Sequence, residues 1–169
     1  MKNLLVVLIL LAFGFTAAPL YAEQKAQEAD KLVFQGNSFL EDRDPDGAAI
    51  YFYKALALNK NHPGALTGLG EVERLGGNYH EAEEFYIRAL ALDSNQALTY
   101  RGLGLIRYDR GKRDASVTDY FKRAIELNPK DVELEVFQAQ IFHDLNNQDE
   151  MGKYAKMALR KVPRCYDAV

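Results

Sequence analysis

A period of 34 residues runs through the chain and limits what it can fold into more than any other feature. Gly36, Gly70 and Gly104 stand 34 residues apart, as do Ala55 and Ala89; Ala124 and Ala158 keep the spacing after one extra residue. A unit of this size cannot bury an apolar face alone. Several such units bury it together by stacking, each on its neighbour. With 48% apolar residues the chain has enough material for that shared core.

Four units follow from the period, 29–62, 63–96, 97–131 and 132–165, with a short lead-in at 23–28 and a tail at 166–169. The second holds Leu66, Leu69-Gly70, Ala82, Tyr86 and Ala89; the third holds Tyr100, Leu103-Gly104, Val117, Phe121, Ala124 and Pro129. Leu32, Gly36, Phe39, Ala48, Phe52 and Ala55 mark the first, and the more worn fourth keeps Ala139, Phe142, Met151, Ala155, Ala158 and Pro163. Each unit contains two stretches with apolar residues at three- and four-residue steps, the pattern of amphipathic helices. Turn chemistry lies between them. Asp44-Pro45 can cap and start a helix, and Gly76-Gly77 can end one. Asn78 with Glu81 reads as a capping box, while Gly111 and Asn146-Asn147 close two further helices. The extra residue of the third unit is expected in the Asp109–Asp114 turn. Glycine and alanine at the repeated offsets let paired helices approach closely, where larger side chains would overpack.

In these residues the chain resembles the tetratricopeptide-repeat (TPR) family over 29–165, nearly all of it beyond the first segment. It departs from the family at the aromatic offset late in the first helix, which is Glu73 in the second unit and Arg107 in the third. The resemblance implies an all-α fold, a right-handed α-solenoid of about four TPR helix-turn-helix units with a concave groove lined by the first helix of each. It further implies a protein or peptide partner in that groove. The family's groove offsets fall on Val33, Phe34, Asn37 and Leu40 in unit one, and on Thr67, Gly68, Glu71 and Arg74 in unit two. They fall on Arg101, Gly102, Leu105 and Tyr108 in unit three, and on Val136, Phe137, Gln140 and His143 in unit four. Family members that clamp a C-terminal carboxylate need cations and asparagine; here Asn37 is kept, but Val33, Gly68, Leu98 and Gly102 stand at the other offsets, so that activity is not expected.

The first 22 residues read as an address. Lys2 is followed by the apolar run Leu4–Phe15 and by Leu20-Tyr21-Ala22 before Glu23, the plan of a cleaved secretory signal. The alternative is a retained N-terminal membrane anchor, since Leu4–Ala22 carries no charge. Both readings put the repeats outside the cytoplasm, periplasmic or secreted in the first and inner-membrane anchored in the second. Membrane contact is expected only if residues 1–22 are retained.

Reactive chemistry is sparse. Lysine and arginine do not cluster and the formal net charge is -3, so nucleic acid is not an expected partner. Asp42, Asp44, Asp46 and Gly47 imitate the start of a calcium loop, but the position that needs a bidentate carboxylate is Tyr53. His62, His80 and His143 lie in different units as surface or turn residues, so no metal site is expected. No nucleophile or phosphate-loop motif occurs, and the Gly68/Gly70 and Gly102/Gly104 pairs read as helix-packing positions. No cofactor and no catalysis are expected. The lone Cys165 and a final helix, Asp149–Lys161, showing Tyr154 or Met157 to solvent offer routes to self-association.

The function expected is a non-catalytic scaffold or adaptor of the cell envelope that assists assembly of a larger complex. The alternative is a membrane-tethered accessory subunit of a secretion, pilus or cytochrome-maturation machine.

Overall fold

A computed structural model describes residues 17–161. Residues 1–16 of the address segment, Pro163, Cys165 and the tail lie outside the described residues. Within them are eight helices and no strand: α1 (Ala17–Glu41), α2 (Pro45–Leu58), α3 (Pro63–Leu75), α4 (Tyr79–Leu92), α5 (Ala97–Asp109), α6 (Ala115–Leu127), α7 (Val132–Asp144) and α8 (Gln148–Lys161). They form four hairpins, α1/α2, α3/α4, α5/α6 and α7/α8, and each hairpin packs on the next. In addition α1 packs on α3 and α3 on α5, so the first helices form one side of the stack and the second helices the other.

The turns explain the regularity. After the first helix of each hairpin one residue takes a positive φ: Arg43 (61°), Gly77 (80°), Gly111 (78°) and Asn146 (56°). The N–H of the following residue then reaches back to a carbonyl in the last helical turn: Asp44 to Phe39 (2.8 Å), Asn78 to Glu73 (2.9 Å), Lys112 to Arg107 (3.0 Å) and Asn147 to Phe142 (2.8 Å). This is the Schellman C-cap, repeated four times. Asp44 caps α2 by accepting from Gly47 N–H (2.9 Å) ahead of Pro45. The capping box expected at Asn78 does not form; its amide donates to the Glu73 carboxylate instead (2.8 Å). The third unit takes its extra length in the turn 110–114, where the other units use three residues. Between units, Asn59, Asp93 and Asn128 each accept from the N–H two residues on, an Asx turn that the sequence reading missed.

Glycines and aromatic rings set the spacing of the stack. The Phe52 ring lies where side chains on Gly36 and Gly68 would be, and the Tyr86 ring does the same for Gly70 and Gly102. Each ring is thus clasped by its own unit and the next. At the last junction the offset of Gly68 and Gly102 is Phe137, and Phe121 meets that ring at 5.8 Å between centroids. Consequently α7 stands off from α5, and Phe137 fills the gap against Tyr108, with centroids 5.0 Å apart.

The fourth unit also buries two polar side chains beside its apolar core. Glu135, at the offset of Leu66 and Tyr100, is fully buried, as is Gln138. Lys161 bonds one Glu135 oxygen and the Pro129 carbonyl, and Gln138 Nε2 donates to the Thr118 carbonyl (2.8 Å). The other Glu135 oxygen and the Gln138 amide oxygen have no partner.

Helix α8 corrects the expectation of an apolar outer face. Tyr154 is only 5% exposed and stacks on Phe142 at 5.6 Å, and Met157 is half-buried. Asp149, Lys153, Lys156 and Arg160 face solvent. Leu159 is the exposed apolar side chain of this helix, at 72%. At the other end, residues 23–28 are not a separate lead-in but part of α1, and all six are exposed. Among the described residues no helix is long and apolar enough to cross a membrane.

Candidate functional site

The stack leaves a cleft of about 380 Å³ between α1, α3 and α5, floored by Tyr86 of α4. Helical spacing brings Val33, Asn37 and Leu40 onto one stripe of α1, and Thr67 and Glu71 onto the matching stripe of α3. Arg101 completes the wall from α5. These six expected groove residues are brought together, with Gly68 beside them. The cleft also takes in Glu41, Tyr86, Gln96 and Leu98, which were not among the expected site residues. Leu98 is 56% exposed and forms an apolar lip.

Tyr86 is the most informative of the missed residues. Its offset is phenylalanine in the first and third units, Phe52 and Phe121, so a hydroxyl there was the available signal. The ring packs as those rings do, and the hydroxyl emerges into the cleft to donate to Glu71 Oε2 (2.9 Å). Arg74 grips the same carboxylate with two hydrogen bonds, Nε at 3.0 Å and Nη2 at 2.7 Å, and reaches Asp109 of α5 at 3.6 Å. Burial pushes the Glu71 carboxyl up, but the hydrogen bonds and charge of Arg74, with help from Tyr86 and Arg101, outweigh it and hold the group below its ordinary value. Burial, then the Glu71 carboxylate, pushes the Tyr86 phenol far up, so it stays a donor. The wall beside this network is a chain of neutral hydrogen bonds: Thr67 donates to Gln96 Oε1 (2.7 Å), with the Thr99 hydroxyl 2.6 Å away.

Arg101 is committed as well. It bonds Glu133 (2.5 Å) and pairs with Asp131 (3.4 Å), both near the start of α7. His62, expected as a surface or turn residue, lies in the turn before α3 and caps that helix. Its Nδ1 accepts from Ala65 N–H (3.3 Å), which leaves Nε2–H to bond Asp30 of α1 (2.9 Å). Among the described residues no group of three His, Cys, Asp or Glu side chains could hold a metal ion.

The remaining expected groove residues do not join the cleft. Phe34 is 72% exposed, on the first hairpin of the described residues. Leu105 is buried in the core. Over units three and four the concave side is filled by its own side chains: Tyr108 packs on Phe137, and Arg113 lies 3.6 Å over the Tyr108 ring and pairs with Asp144. Gln140 donates to Asp144 (2.9 Å), and His143 sits beside the same carboxylate. The open part of the concave face is therefore its first three units. Where a carboxylate clamp would place cations, this cleft presents Val33, Gly68 and Leu98.

Comparison with known proteins agrees with this geometry. Residues 35–97 match the family model described as tetratricopeptide repeat. Over 118 residues, 70% of this chain, the sequence is 26% identical to anaphase-promoting complex subunit 3 of Schizosaccharomyces pombe, a match that spans 18% of that protein's length. The fold is similar to the crystal structure of MamA, with a TM-score of 0.64 and 23% identity over 79% of this chain and 77% of MamA. It is also similar to a chain of the APC/C hetero-tetramer Cut9-Hcn1, with a TM-score of 0.68 and 20% identity over 79% of this chain and 27% of the other.

Proposed function

From the premise that this chain is a tetratricopeptide-repeat protein, we propose that it is a non-catalytic adaptor whose α1–α3–α5 cleft docks a segment of a partner protein. The observation that carries the reading is the cleft itself: concave, lined by the apolar side chains Val33, Leu40 and Leu98 and by the fixed polar groups Thr67, Glu71 and Arg101. Apolar anchors beside a few oriented polar groups are what peptide recognition requires. The matched relatives include subunits of a large complex, which supports a role in assembly. The adaptor works outside the cytoplasm, on the strength of Lys2 and the apolar run Leu4–Phe15.

A tethered accessory subunit is the second reading, and one feature favours it. Helix α1 runs unbroken from Ala17 through Ala22 and Glu23 to Glu41, with Glu23–Glu28 exposed. An exposed polar helix following an apolar segment suits a stalk.

Affinity capture of the full-length protein after in-cell cross-linking tests both. The wild type is compared with Val33→Asp/Leu98→Asp and with Lys156→Glu on α8, and the captured N-terminus is read by mass spectrometry. Defined partners lost only in the cleft variant support docking; capture unchanged in that variant sinks it. A chain that starts at Glu23 removes the tether reading, and one that keeps Lys2 establishes it.

A further inference from the structure

The cleft has a surplus of negative charge that its ion pairs do not absorb. Glu41 and Glu71 lie on its wall. Arg101 lines the cleft and Arg74 grips Glu71 of its wall; Asp109, Asp131 and Glu133 pair with these two guanidinium groups. Both arginines are already bound on two sides, Arg74 by Glu71 and Asp109, Arg101 by Asp131 and Glu133. Five carboxylates thus face two cations, and Glu41 pairs with no cation among the described residues. An incoming carboxylate would add to this surplus. An incoming ammonium or guanidinium finds the exposed Glu41 on the α1 wall and, next to Arg101, the exposed Glu133 at the start of α7, a carboxylate that can accept a second partner. Along the cleft lie the apolar side chains Val33, Leu40 and Leu98, with the Asn37 amide between the first two on α1.

We propose that the cleft, taken as the docking site argued above, selects a partner segment in which one or two apolar side chains are flanked by lysine or arginine. The apolar residues seat against Val33, Leu40 and Leu98, and the flanking cations lie against Glu41 and Glu133. Charge complementarity of this kind sets partner choice and association rate more than total affinity, and it weakens as salt rises.

The test uses the full-length protein and three fluorescein-labelled synthetic peptides. They share one leucine-containing core and differ in their flanks, which are lysine, serine or glutamate. Fluorescence anisotropy should give about tenfold tighter binding for the lysine-flanked peptide than for the serine-flanked one, with the glutamate-flanked peptide weakest and the differences shrinking at high salt. Glu41→Lys/Glu133→Lys, two exposed changes checked for helicity by circular dichroism, should erase the preference. If all three peptides bind equally and Val33→Asp/Leu98→Asp abolishes binding, charge selection is wrong and docking stands. If the glutamate-flanked peptide binds best, the assignment of charge is reversed and the inference fails. If no peptide binds, or binding survives Val33→Asp/Leu98→Asp, the docking reading falls and takes this inference with it.

Discussion

The same helical offset is occupied by Phe34, Gly68, Gly102 and Phe137, and the four positions show how a residue's cost depends on what stacks against it. At Gly68 and Gly102 a β-carbon would overlap the Phe52 and Tyr86 rings of the preceding units. Gly68→Ala or Gly102→Ala is therefore expected to destabilise the protein by roughly 1–3 kcal/mol in urea unfolding. Phe34 is 72% exposed, so Phe34→Ala should change stability by no more than about 0.5 kcal/mol. Equal effects at the two kinds of position would refute the clasped-ring account. Arg43 is a separate case. It holds φ at 61° in a cap whose equivalents are Gly77 and Gly111. A non-glycine residue pays strain there, partly offset by the greater chain entropy of glycine when unfolded. Arg43→Gly should raise stability by about 0.5–1 kcal/mol, seen as a higher melting temperature; a lower one would mean that the Arg43 side chain makes a contact worth more than the strain.

At the level of elements, α7 and α8 differ from the other hairpins because their core, though mainly apolar, includes a fully buried acid and amide, Glu135 and Gln138. Glu135 occupies a core offset that carries Leu66 and Tyr100 elsewhere, and Lys161, from the last turn of α8, provides its charge partner. Removing one member of a buried pair strands the other, whereas replacing the acid with an apolar residue removes the need for a partner. Lys161→Met should cost about 2–3 kcal/mol, and Glu135→Leu should leave stability unchanged or raise it. In a stacked array each unit feels mainly its neighbours, so hydrogen exchange should accelerate in α7 and α8 of Lys161→Met while α1–α4 stay protected. Uniform acceleration across all helices would contradict unit-by-unit stability.

For the molecule as a whole, the Glu71 network ties α3, α4 and α5 together at the floor of the cleft and couples its integrity to pH. The folded carboxyl lies below its ordinary value of 4.5. The unfolded chain therefore binds the proton more readily, and the associated stability is present above pH 4.5 and lost as pH falls through the lower folded value. Urea midpoints of the wild type and Glu71→Gln, followed against pH, should differ fully at neutral pH and converge in acid. A difference that stays constant with pH would show that charge on Glu71 contributes nothing to the stack.

Periodicity, turn residues and helix faces are local properties, and each follows from the chain alone. Four units, the packing role of Gly68, Gly70, Gly102 and Gly104, and the caps at Asp44, Gly77, Gly111 and Asn146 were legible in that way, whereas Val33, Asn37 and Leu40 followed from the resemblance to the tetratricopeptide-repeat family. The stacking of one unit on another was not. Helix geometry fixes which way Phe137 points, but only the separation of α5 from α7 decides that it closes the groove against Tyr108 rather than lining it. The Tyr86 hydroxyl reaches Glu71 because flanking glycines let two units close around its ring, and Glu135 is buried because α8 covers it. The sequence by itself determined a helical repeat stack and where its groove could run. The tertiary structure decided which part of that groove is open and what charge it carries, because both depend on residues a whole repeat apart meeting across a junction.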